Sequence, residues 1–231
     1  MIDWFPRIDE HQSDVNGRAM LRWRTLVGLR HLARSVDARD PSTTGHSERV
    51  ARLVVALADA LGWAARDAER LAEAALVHDV GKVCVPDDVL CKAGALTPDE
   101  YALVRLHATV GASVVAVALD AEQTSWVQHH HERWDGGGYP YGLAGRDIPA
   151  GAAILALADA WDAMTTRPES GGLSRVEALE ECYAEQGAQF APWAVVALPA
   201  ALSRVERRAW PRSVSTPESW APLRLRAGGA A

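Results

Sequence analysis

The feature of this 231-residue sequence that most restricts its fold is the run HHHERWDGGGYP at residues 129–140. Imidazole and carboxylate groups are common metal ligands, and Glu132 and Asp135 stand beside the three histidines. Consecutive glycines do not favour continuation of a helix, because glycine loses the most conformational freedom when its backbone is fixed. The run therefore predicts a metal-binding helix end followed by a tight loop. For the run taken alone, the alternative is a solvated patch of histidines.

Polar residues elsewhere in the chain favour the metal site. His78 and Asp79 follow the apolar segment AALV, and Asp159 stands within the apolar segment ILALADAWDAM. An unpaired charge in such a segment would be costly to bury, so Asp159 needs a partner. His46 and His107 are further candidates. With two histidines of the run, the candidates exceed what one metal can hold and suit two metals that share a bridging oxygen.

Composition and charge indicate an intracellular helical protein. The chain is 48% hydrophobic and carries a net charge of −6, which argues against long nucleic acids as partners. Three cysteines without CxxC spacing leave one unpaired in any disulfide scheme, which favours reduced thiols. The N-terminus is too polar for a signal peptide, and no apolar run approaches the ~20 residues of a membrane helix. We therefore expect a cytoplasmic protein without membrane insertion.

Hydrophobic periodicity predicts helices over most of the chain. We expect three regions: a leader over residues 1–18 that holds no sensory domain, a helical domain over residues 19–202, and a basic, mobile tail over residues 203–231. The tail has six arginines against two glutamates. Within the domain, the pattern predicts a separate short helix over Val114–Leu119 and a further helix that ends in the histidine run.

Several spaced motifs resemble those of the HD-GYP family, a branch of the HD-domain phosphohydrolases named for a His-Asp doublet and a Gly-Tyr-Pro triplet. In chain order they are RDPSTTGHSERVARL, HDVGKVCVPDDVLCKAGALTPDE, HATVG, HHERWDGGGYPYGLAGRDIP and LADAWDAM. The resemblance runs from about Leu26 to about Leu198. It implies an all-α HD-domain helical bundle with a glycine-rich GYP loop, and we expect that fold.

The resemblance also implies two divalent metal ions, with iron or manganese favoured. The ligands that it implies are His46, His78, Asp79, His107, His130, His131 and Asp159. His129 precedes the family's histidine pair and is left out, while Asp162 is expected to orient a ligating histidine. Some members have a glutamate that reaches a third metal, and this chain has Ser42 there, which favours two metals.

Hydrolysis of cyclic di-GMP to pGpG, in some members further to GMP, by a metal-bridging hydroxide is the activity that the resemblance implies. Asp79 and Lys82 are the expected catalytic residues, and Lys82 and Arg167 the expected phosphate-binding residues. Lys82 has the alternative of simply neutralising Asp79. The residues expected to shape the loop and to offer a surface to a signalling protein are Gly136, Gly138, Tyr139 and Pro140. These four residues could instead only build a turn. The sequence leaves open whether the chain forms a homodimer.

Three positions depart from the family pattern. Where the family has a basic run after the ligand aspartate, this chain has Arg167–Gly172. An arginine that the family has before the apolar helix is replaced by Ala153, and the family's Phe-Asp-Pro motif is replaced by Phe190–Pro192. Loss of a charge-assisted phosphate contact would cost about 1.5–3 kcal/mol, for which Arg133 or Arg146 could compensate. Two alternatives to the enzyme follow: a signalling or binding module with weak or no turnover, and a phosphohydrolase for another nucleotide.

Overall fold

The computed structural model describes residues 10–39, 43–166 and 172–207. Over those residues the backbone forms nine α-helices and no β-strand, so the predicted all-α fold is confirmed. The helices are α1 (Glu10–Asp37), α2 (His46–Ala60), α3 (Ala65–Ala75), α4 (Asp87–Leu90), α5 (Pro98–Val115), α6 (Ala121–Gln128), α7 (Ala150–Thr166), α8 (Arg175–Ala184) and α9 (Pro192–Arg207).

Helix α2 lies at the centre of the bundle, against α3, α7 and α9. Its apolar face is fully buried at Val54 and Leu57, and α7 buries Ile154 and Leu155 in the same core. Helices α6 and α7 approach closely, because a Cβ added to Gly151 would lie 2.5 Å from the Trp126 ring. Burial of these side chains supplies the main driving force that holds the metal-binding segments in place.

Capping boxes set the starts of three helices. Thr97, Asp120 and Ser174 each accept a hydrogen bond from a backbone N–H three residues later, and the residue there returns a bond to the cap. The separate helix predicted over Val114–Leu119 is wrong. Helix α5 continues to Val115, and a turn leads to the cap at Asp120. The apolar pattern of that segment reflects burial in the turn, where Ala118 and Leu119 are in the core.

Two predicted domain boundaries fall inside helices. Helix α1 begins at Glu10, within the predicted leader, and α9 reaches Arg207, within the predicted tail. Residues 1–9 and 208–231 lie outside the described residues, as do Ser42 and Arg167. Within the described part of the chain, no helix combines the length and the apolar character needed to cross a membrane.

Candidate metal centre

The seven predicted ligand side chains come from five separate segments and meet in one pocket. One group of ligand atoms lies within 4.8 Å of one another and comes from Asp79, His107, His130 and His131. A second group with the same spacing comes from His46, His78 and Asp79. The Asp159 carboxylate lies 3.1 Å from Nε2 of His46 and 3.9 Å from Nε2 of His78. Asp79 therefore stands between two clusters of candidate ligands.

Close backbone packing brings the His-Asp doublet next to His107. The doublet lies in the turn after α3, and the 3₁₀ turn that follows it (Val80–Cys84) packs against α5. A Cβ added to Gly81 would lie 2.5 Å from the backbone nitrogen of Gly111. Only glycine fits such an approach without displacing α5. Gly81 thus sets the distance between the segment that carries His78 and Asp79 and the segment that carries His107.

Two buried atoms in this pocket lack a hydrogen-bond partner within the described part of the chain. They are Nε2 of His78 and Oδ1 of Asp79. A buried polar atom without a partner is costly, so native proteins rarely keep one unless an ion or water completes it. The donor set of imidazole nitrogens and carboxylate oxygens, with no thiolate, suits a divalent transition metal. The residues present therefore fit the metal that the sequence predicted.

Backbone carbonyls fix the histidine rings. Nδ1 donates to a carbonyl three residues earlier in His78 (Ala75, 2.8 Å), His107 (Val104, 2.7 Å) and His130 (Val127, 2.6 Å). A carbonyl oxygen can only accept, so Nδ1 carries the proton in each ring. The Nε2 lone pair then faces the pocket, which is the arrangement that a metal ligand needs.

The His46 ring is oriented by the carboxylate of Asp162 in place of a backbone carbonyl. Nδ1 of His46 donates to Asp162 at 2.7 Å, and Arg49 donates to both Asp162 oxygens at 2.7 and 2.9 Å. Asp159 and Asp162 share one face of α7 because they are three residues apart. The structure places Asp162 where the sequence predicted an orienting acceptor. Burial alone would lower the pKa of His46, but hydrogen bonds to Asp159 and Asp162 raise it to about 10.

Burial disfavours the charged form of three other histidines of the pocket. Burial, together with the neighbouring His107, lowers the pKa of His131 to about 3, and burial also lowers the pKa values of His107 and His130. Burial would raise the pKa of the Asp79 carboxyl, but Lys82 and nearby histidines hold it well below its usual range. These neutral imidazoles and the ionised Asp79 carboxylate are in the protonation states that bind metals, whereas His46 would release its Nε2 proton on becoming a ligand.

Lys82 is ion-paired with the shared carboxylate. Its ammonium lies 2.5 Å from Oδ2 of Asp79, and the Lys82 side chain keeps 23% of its surface exposed. Asp159 is 20% exposed, so the pocket opens to solvent beside these two residues. This ion pair is the neutralising arrangement that the sequence gave as one of two alternatives for Lys82.

Two acids of the histidine run, both outside the ligand set that the resemblance implies, make contacts with other parts of the chain. Glu132 is buried and accepts hydrogen bonds from the backbone of Tyr141 (2.8 Å) and Leu143 (3.1 Å). Asp135 pairs with Arg133 at 2.8 Å on the protein surface. His129 also lies apart, since its Nδ1 donates to the carbonyl of Ser125. Glu132 instead anchors the loop that follows.

The GYP loop, residues 136–149, packs against a candidate metal ligand through its Tyr139 ring. The Tyr139 ring stacks on His131 at 4.8 Å, and the Tyr139 N–H donates to the His131 carbonyl at 3.2 Å. A Cβ at Gly138 would lie 2.5 Å from Cα of Glu132, and Gly136 has a φ of 84°, so glycine is required at both. The Tyr139–Pro140 peptide bond is cis. Two of the departures from the family pattern, Ala153 and Ala191, lie in the core.

An all-α bundle that gathers histidines and aspartates from five segments around one buried aspartate defines a metal-binding helical domain of the HD class. Residues 30–193 match the family described as HD domain. The chain belongs to this family and, by its doublet, its Gly-Tyr-Pro triplet and its relatives, to the HD-GYP branch.

The chain resembles several named proteins over part of their length. It is 37% identical over 74% of its length to the cyclic di-GMP phosphodiesterase response regulator RpfG of Xanthomonas campestris and spans 46% of that protein. It is 36% identical over 78% of its length to a 3'3'-cGAMP-specific phosphodiesterase of Vibrio cholerae and spans 35% of it. A solved HDG"Y"P protein from Bdellovibrio bacteriovorus is 25% identical, with a TM-score of 0.58 over 68% of this chain and 51% of that one. The chain thus spans between about a third and about half of the length of these proteins.

Proposed function

We propose that this chain is a metal-dependent phosphodiesterase that hydrolyses cyclic di-GMP to pGpG. The observation that carries the proposal is the position of Asp79, whose carboxylate belongs to both groups of candidate ligands. One carboxylate between two clusters is the arrangement of a two-metal hydrolytic site. The printed name of the Xanthomonas relative, a cyclic di-GMP phosphodiesterase, supports the substrate.

Two metal ions would occupy the two clusters. His107, His130, His131 and Asp79 would hold one ion, and His46, His78, Asp159 and Asp79 the other. We favour iron or manganese, because mixed nitrogen and oxygen donors without thiolate suit these metals. When bound, the ions supply Lewis acidity and an activated water for attack on phosphorus.

The chain's own residues position and neutralise the substrate. Lys82, ion-paired with Asp79 at the open side of the pocket, would turn to a phosphate oxygen and offset the negative charge that grows in the transition state. The backbone carbonyls that hold Nδ1 keep each imidazole in one tautomer throughout. Asp162 and Arg49 hold His46 in the same way. Arg167 is a second phosphate-binding residue in this proposal and lies outside the described residues.

The proposal extends to partners and place in the cell. The GYP loop would offer Tyr139 and Pro140 to a signalling protein, since it is anchored by Glu132 and borders the metal centre. A cytoplasmic location agrees with three cysteines that are all free thiols.

A second candidate substrate has a specific observation in its favour. The similar Vibrio cholerae protein is named as specific for 3'3'-cGAMP, a cyclic dinucleotide with one adenine. The residues that would hold the metals would place them at the phosphodiester, which the two cyclic dinucleotides share, and would not distinguish the bases. A phosphohydrolase for that nucleotide is therefore the alternative, with a binding module of weak turnover as the third candidate.

One assay separates the three. The protein is purified anaerobically with manganese, and cyclic di-GMP, 3'3'-cGAMP and their products are followed by chromatography beside an Asp79→Ala variant. We expect the wild type alone to form pGpG. Cleavage of 3'3'-cGAMP with cyclic di-GMP left intact would show that 3'3'-cGAMP is the substrate. Metal binding without any turnover would support the binding module.

A further inference from the structure

Beside the GYP loop lies a cationic side chain that has no acidic partner among the residues that the structure describes. The guanidinium carbon of Arg105, on α5, is 4.8 Å from the centre of the Tyr139 ring and 5.8 Å from that of Tyr101. The Tyr139 ring in turn stacks on His131, a candidate metal ligand, at 4.8 Å. Two ring contacts therefore connect Arg105 to the metal centre.

Three other cations near the pocket are already paired. Lys82 binds Asp79, Arg49 binds Asp162, and Arg133 binds Asp135 and Glu185. Among the described residues, no carboxylate pairs with Arg105. Its helix offers none at the spacings where side chains meet, because residues 101, 102, 108 and 109 are Tyr, Ala, Ala and Thr. Arg133, one of the two arginines that the sequence offered as compensation, is thus occupied.

The setting of Arg105 suits an anion. A guanidinium stacked on an aromatic ring keeps its in-plane N–H donors free for a planar or tetrahedral oxyanion. The residue is only partly buried, and the neighbouring Tyr101 is 49% exposed, so a ligand can reach this face from solvent. A cyclic dinucleotide has two phosphates, and the metal centre engages one of them. The second needs a cation outside the centre.

We infer that Arg105 binds the phosphate of the cyclic dinucleotide that is not being cleaved. This inference rests on the proposed function, since it takes a cyclic dinucleotide as the ligand. Arg105 is then a substrate-affinity residue on the GYP side of the pocket. It acts on ground-state binding and transition-state binding alike, so its loss raises KM and leaves kcat nearly unchanged.

The test measures affinity separately from turnover. Manganese-loaded wild type, Arg105→Gln, Arg105→Lys and a control, Arg66→Gln, are titrated with phosphorothioate analogues of cyclic di-GMP, 3'3'-cGAMP and cyclic di-AMP. These ligands share the phosphate backbone and differ in their bases. Arg66 is exposed on α3, so the Arg66→Gln substitution removes the same charge at a position away from the pocket. KM and kcat for cyclic di-GMP are measured in parallel.

We expect Arg105→Gln to weaken binding of every analogue that the wild type binds by roughly 10- to 100-fold, with a matching rise in KM. Arg105→Lys should lose less, because it keeps the charge but not the bidentate fork. Arg66→Gln should bind like the wild type. Should the Gln variant fail to fold, Arg105→Met keeps the apolar stem over Tyr139 and is expected to show the same loss.

Three results would overturn the inference. The first is wild-type affinity in Arg105→Gln, and the second is a wild type that binds none of the analogues. The third is a loss confined to guanine-containing ligands, which would mean that Arg105 contacts the guanine edge. Binding that depends on Arg105 in a wild type without turnover would leave the inference standing and refute the proposed phosphodiesterase.

Discussion

Asp162 accepts a hydrogen bond from Nδ1 of His46 at 2.7 Å, across 116 residues of sequence. This contact turns Nε2 of His46 toward Asp159, 3.1 Å away. One face of α7 thus supplies both a candidate ligand and the group that orients another. Arg49 holds Asp162 with two hydrogen bonds, so the orientation is fixed before a metal arrives.

Replacing Asp162 with Asn should weaken metal binding without removing a ligand. The amide keeps the shape of the carboxylate but loses its charge, and the loss of such an orienting partner typically costs 10–100-fold in metal affinity. The measurement is a competitive titration of manganese against a chelating dye. Asp88→Asn, at an exposed position on α4, is the control. Equal affinities in both variants would show that Asp162 does not support the site.

Replacing Gly81 with Ala should unfold the pocket region. The added Cβ would lie 2.5 Å from the Gly111 nitrogen, and α5 cannot move away without repacking, so we expect a loss of about 3 kcal/mol or more in the free energy of unfolding. Urea denaturation checks this. Gly28→Ala is the matched control, because nothing lies within 4 Å of its Cβ and α1 should gain about 0.5–1 kcal/mol. Similar stabilities for the two variants would contradict the close approach.

Replacing Glu132 with Ala should release the GYP loop. Two backbone N–H groups, of Tyr141 and Leu143, lose their acceptor, which we expect to cost about 3 kcal/mol. Hydrogen exchange should accelerate at these two amides more than elsewhere. Glu180→Ala, on the exposed face of α8, should leave exchange unchanged. Unchanged exchange at both amides in Glu132→Ala would mean that the loop is held by other contacts.

The cysteines should differ in reactivity. Burial raises the pKa of the Cys182 thiol to about 12, so it carries almost no thiolate at pH 8, whereas Cys84 and Cys91 are exposed. A thiol reagent at pH 8 should modify two cysteines in the native protein and all three in denaturant. Rapid modification of three thiols in the folded state would show that α8 does not pack as described.

The sequence predicts the all-α fold and the HD-GYP family, because both depend on local apolar periodicity and on spaced motifs. It does not predict the partners of Glu132, since only the folded loop brings two backbone amides to its carboxylate. The apolar segment 114–119 likewise looked helical because burial, not helix formation, selects its residues. No sequence pattern singles out Arg105 as a binding residue, because its position over Tyr139 depends on how α5 packs against a loop more than thirty residues away in sequence.

The central claim is that Asp79 is shared by two metal ions. The most direct measurement is the metal content per chain of protein purified anaerobically with manganese or iron, determined by inductively coupled plasma mass spectrometry, for the wild type and Asp79→Ala. The account predicts two ions per chain in the wild type and fewer than one in the folded variant. A wild type with a single ion, or a variant that keeps two, would contradict it.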